Sequence, residues 1–122
     1  MSEHDDEVTG QVQERLSLIY SGLVSACAAL PIPITLPVGA VSPGDMVPAV
    51  RRVGQIVAEQ VIPEEQKGQL GMATVLWLAA MDLYGLLLLE FEASRASAAL
   101  GILLMAGHEL HDLAHWLMDN SG

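Results

Sequence analysis

From Leu70 to Leu89 the chain runs for twenty residues, eight of them leucine, with one charged side chain, Asp82. Few folds can accommodate such a stretch. It is too long for a strand, and at 100° per residue it presents no polar face, so it reads as a helix covered on all sides. The cover is either other helices or a lipid bilayer, whose apolar core a helix of about 20 residues spans. Three features favour protein. Glu90 and Glu92 sit at one end, no basic cluster sets a topology, and no aromatic belt marks either boundary. The next apolar stretch, Ala96 to Gly107, is twelve residues long, too short to return through a bilayer.

The flanking segments are helical too. Apolar residues recur at Val12, Leu16, Ile19, Leu23, Ala26 and Leu30, in steps of four and three, predicting a helix over about 8–30. Leu18, Tyr20 and Val24 widen its stripe, so more than one neighbour is expected. Cys27, among alanines, reads as a small buried hydrophobe rather than a catalytic thiol. Residues 1–7 (Met1-Ser2-Glu3-His4-Asp5-Asp6-Glu7) form an acidic head expected to be solvated and mobile.

Pro31, Pro33 and Pro37 then force an extended segment. Its intervening residues, Ile32, Ile34, Leu36 and Val38, are apolar, so it should pack on a helix of its own or of a second subunit. A second helix is expected with Asp45 as N-cap, Pro48 in its first turn, and Met46, Val50, Val53, Val57 and Val61 buried. Arg51, Arg52, Gln55 and Glu59 should face water. Pro63-Glu64-Glu65 opens the third helix. The polar stretch Glu90–Ser97 turns the chain, and Ser94 or Ser97 starts a fourth helix ending near Met118. Gly85, Gly101 and Gly107 should permit close helix approach. The expected fold is all-α: one domain over 1–122, about four helices with an apolar Pro-rich connection, paired as an intertwined homodimer.

The expectation of a partner comes from composition. Charged residues are 16% of the 122, against roughly 25% in an average soluble domain. A single subunit of this size is surface-rich, so the apolar excess needs an interface, a pocket or lipid. A net charge of −10 with five basic residues lacks the clustered basic footprint of nucleic-acid binding. The acidic N-terminus is unlike a secretory signal, so a cytoplasmic protein is expected.

Chemistry is sparsely marked. His108, His111 and His115 stand at i, i+3 and i+7, a helix-face spacing that suits metal ligands, but their projection sets them opposite Leu103, Leu110, Leu113 and Leu117, on the water side. No metal and no cofactor is therefore expected. Asp82 carries the stronger signal. A carboxylate among leucines is costly unless it finds a partner or lines a cavity. Trp77 and Tyr84 are the nearest side chains able to bring a polar atom into apolar surroundings. Asp82, Tyr84 and Trp77 thus form the candidate ligand-binding set, with Asp82 buried or in a cleft. Catalytic residues are not identifiable.

Three functional classes remain open: a homodimer binding a peptide or apolar ligand, an interaction protein such as a phage- or plasmid-encoded adaptor, and a small membrane protein. The chain resembles in format the lysinoalanine-forming proteins of cinnamycin-type lanthipeptide biosynthesis. It is short, acidic and helical, with no cofactor motif and a proline-interrupted join, Leu30-Pro31-Ile32-Pro33. The resemblance implies a dimeric, cofactor-independent enzyme adding a lysine amine across dehydroalanine in a precursor peptide. Holding amine and alkene in near-attack geometry can contribute on the order of 7–11 kcal/mol in the best cases, so the reaction needs little apparatus.

Overall fold

The computed structural model describes residues 2–120 and is all-α. Its helices are α1 (Glu3–Ala28), α2 (Pro43–Ile56), α3 (Glu64–Leu89) and α4 (Ala93–Asn120), with a 3-10 turn at Val57–Glu59 closing α2. α3 and α4 form an antiparallel pair, α1 packs on both, and α2 packs on α3. The predicted stripe of α1 is the buried one: Val12, Leu16, Ile19, Leu23, Ala26 and Leu30 all face the core. α1 and α4 run in the same direction, Ile19 meeting Gly107 and Leu110 meeting Gly22.

Several boundaries differ from the sequence expectation, each for a local reason. The acidic head is exposed but helical from Glu3 onward; Met1 lies outside the described residues. Ser2 caps it, its Oγ accepting from the Asp5 amide at 3.1 Å, and Glu3, Asp5 and Asp6 complement the positive end of the helix dipole. The N-cap of α2 is Ser42, not Asp45. Asp45 occupies the third helical position and its Oδ2 accepts from the Ser42 amide (3.3 Å) and hydroxyl (3.1 Å). Val61, expected in the buried stripe, is 73% exposed. The 3-10 turn breaks the 3.6-residue register, turning Gln60 inward and Val61 out. α4 begins at Ala93, so only Glu90–Glu92 separate it from α3. Close helix approach occurs at Gly22, Gly54 and Gly107, where a side chain would meet Leu110, Thr74 and Ile19, whereas Gly85 and Gly101 face open space.

The proline-rich segment is ordered against its own chain. The Gln60 side chain binds Ile32 as a strand neighbour would: Nε2 donates to the Ile32 carbonyl (2.7 Å) and Oε1 accepts from the Ile32 amide (3.3 Å). The Ile34 amide donates to the Cys27 carbonyl at 3.0 Å, and the Tyr20 hydroxyl donates to the Pro37 carbonyl at 2.6 Å. Leu30 and Leu36 are buried beneath it.

The most consequential difference concerns α3. It is long and apolar enough to cross a membrane, yet only 28% of its most apolar window is buried within the chain. One face, through Leu70, Ala73, Thr74, Trp77, Ala80 and Leu87, packs into the core. The opposite face has no cover: Met72, Val75, Asp82, Leu86 and Leu89 are exposed. α3 is a wall of the bundle rather than its centre.

Candidate functional site

Trp77, Tyr84 and Asp82 do not converge. Trp77 is fully buried. Its indole N–H donates to the Leu16 carbonyl at 2.9 Å, and its ring lies 5.7 Å from that of Tyr20, so it fastens α3 to α1. Tyr84, seven residues on, shares that face and is half-buried against the core. Asp82 lies about 140° around the helix from Trp77 and is exposed. The expectation that Asp82 is buried or in a cleft is therefore corrected for the single chain. Of the leucines around it Leu78 and Leu83 are partly buried against the core, but Leu86 and Leu89 on its own face are exposed, so its carboxylate keeps its water.

The concave surface lies elsewhere, between α1 and α4. Beside its core stripe α1 carries a second row at the same spacing, Gln11, Arg15, Leu18, Gly22, Ser25 and Ala29. α4 carries a matching row, Leu100, Leu104, Gly107, His111, Ala114 and Met118. Because the two helices run in the same direction, the rows face each other along a continuous groove. One half, of about 660 Å³, is lined by Arg15, Leu18, Leu103, Leu104 and His108. The other, of about 440 Å³, is lined by Gly22, Ser25, Ala29, Ala114, Leu117 and Met118, and both reach Gly107. Gly22, Gly107 and Ala114 keep the floor low, while Leu18, Leu104 and Met118 stand 60%, 61% and 78% exposed along it. Arg15, Glu14 and Gln11 make the rim polar at one end.

The groove can accept an apolar helical face, and Cys27 is not among the residues that line it. Cys27 is fully buried, and burial pushes its thiol up to about 11, leaving it protonated at neutral pH. His108, His111 and His115 are exposed. His115 Nδ1 lies 3.2 Å from Asp119 Oδ2, and among the described residues no three potential metal ligands gather. A second depression of about 520 Å³ lies between the proline-rich segment and α2, with Arg52 and Glu59 among its lining residues.

The groove residues were not singled out from sequence, although a signal was present. Gly22, Ser25 and Ala29 on α1, and Gly107 and Ala114 on α4, are small residues at helical spacing on a face with few charges. That pattern marks close approach but not whether the approaching element belongs to the same chain. No family model, curated protein or solved structure matches this chain.

Proposed function

We propose that the protein is a cytoplasmic helical homodimer that binds an amphipathic peptide in the groove between α1 and α4. The observation that carries this reading is the pair of facing rows, which offers two parallel ridges and, in one half, a floor of small residues at Gly22, Ser25, Ala29, Gly107 and Ala114. Such a surface suits the helix-in-groove mode, in which a partner inserts apolar residues at i, i+3, i+4 and i+7. A net charge of −10 favours a cationic partner by long-range attraction. In its sharpest form the bound peptide is a lanthipeptide precursor and the protein positions a lysine amine against dehydroalanine. A C–N bond then forms at the alkene β-carbon while the amine proton passes to the α-carbon. That addition leaves mass unchanged, so it is read as loss of thiol-reactive alkene.

The test of binding is fluorescence anisotropy with a labelled cationic peptide carrying leucines at three- and four-residue spacing. Saturable binding is expected for the native chain, and at least a tenfold loss for Leu104→Glu and Ala114→Trp. Both positions are exposed, so circular dichroism should be unchanged. Equal binding by native and variant proteins, or none by either, refutes the groove as the site.

A further inference from the structure

The uncovered face of α3 has a pattern of its own. Met72, Val75, Ala79, Asp82, Leu86 and Leu89 follow one another in steps of three, four, three, four and three. That is the heptad seam along which two helices interdigitate. It is about 26 Å long at helical rise. Val75 is 60% exposed and Leu89 84%.

We infer that a second copy of this chain covers the seam, with the two α3 helices antiparallel about a two-fold axis passing between Ala80 and Met81. Reversing the seam on itself about that axis sets Met72 against Leu89, Val75 against Leu86, and Ala79 against Asp82. Each large residue meets a large one, and the carboxylate meets a methyl group that leaves it room. A parallel pairing instead stacks Asp82 on its own copy, bringing two like charges together in a desolvated seam.

Charge outside the seam supports the same register. Arg51 of α2 shares a depression with Met72 and Val75. Antiparallel pairing brings the partner's Leu89 to Met72, and so the partner's Glu90 to Arg51. Both groups are exposed, and among the described residues neither has an ion-pair partner in its own chain. The two-fold makes the contact twice. This deepens the homodimer element of the proposed function and is independent of the peptide groove. Peptide capture can fail while the dimer stands, and the reverse.

Sedimentation equilibrium without detergent tests it. A dimer is expected for the native chain at micromolar concentration. Leu86→Glu should weaken dimerisation at least 100-fold with helicity retained, and Asp82→Leu should strengthen it at least tenfold. Arg51→Glu and Glu90→Arg should each weaken it several-fold, and the two combined should restore it. A native monomer at tens of micromolar overturns the inference, as does a dimer indifferent to Leu86→Glu. A combined charge swap that restores nothing overturns the antiparallel register. Recovery of the chain only in detergent or in phosphatidylcholine vesicles shows lipid, not a second copy, on the seam.

Discussion

Two buried side chains tie α1 to its surroundings through polar atoms. Trp77 donates to the Leu16 carbonyl and Tyr20 to the Pro37 carbonyl, while Cys27 is enclosed in the core near Tyr20. Burial raises the Cys27 thiol to about 11 from an ordinary 9.0. Tyr20 is raised above its ordinary 10.0, first by burial and then by the nearby Asp45 charge and Cys27. In both cases the neutral form is favoured in the folded chain, and the unfolded chain gives up its proton first as pH rises. For Cys27 the stabilisation is thus complete below about pH 9 and lost as pH climbs toward 11, a change on the order of 2–3 kcal/mol, and the Tyr20 contribution is lost as pH rises past its ordinary 10.0. Thermal melts should show a falling Tm across that interval. Cys27→Ala should start from a lower Tm at neutral pH but fall less steeply, and the native thiol should resist dithionitrobenzoate until the protein unfolds. From sequence, the burial of Cys27 and the role of Trp77 as carrier of a polar atom into the core were legible. The partner of Trp77 was not, because a backbone carbonyl sixty-one residues away leaves no trace in side-chain pattern.

Among the elements, α1 was the most legible, since its core stripe has a single period and every member is buried. α3 was the least, and for an instructive reason. Periodicity separates a buried face from a wet one only when the wet face is polar, and here both faces are apolar. The helix was readable, but its covered side was not, and Asp82 was therefore placed inward. The proline-rich segment was expected to pack because it is apolar, and Gln60 is the device that holds it. Replacing Gln60 by methionine keeps the bulk but frees the Ile32 amide and carbonyl, which should cost about 1–3 kcal/mol. Limited proteolysis should then cut between residues 31 and 41 well before the native chain is cut there.

At the scale of the whole molecule, the groove and the seam lie on different helices and have different shapes, a concave groove on α1 and α4 and a convex seam on α3. Concave surfaces take ligands, and self-matching convex ones take copies. A second copy seated on the seam would bind only the folded chain, so stability should then depend on concentration. Calorimetry from about 5 to 500 μM should show Tm rising by several degrees, with the rise abolished in Leu86→Glu. The excess of apolar residues announced such surfaces in the sequence. Their separation onto opposite sides of the bundle follows from packing and was not readable there.

The parallel course of α1 and α4 also sets an order of events during synthesis. α3 and α4 are joined by three residues and can pair as soon as both have been made, whereas Ile19 of α1 is not covered until α4 has been made. Early contacts are local, and distant ones pay a loop-closure cost. Until α4 is made the part of the α1 stripe that it covers is therefore bare on the emerging chain, an attachment point for chaperones and for neighbouring nascent chains alike. Slowing elongation within α4 should lower soluble yield more than the same pause placed after it.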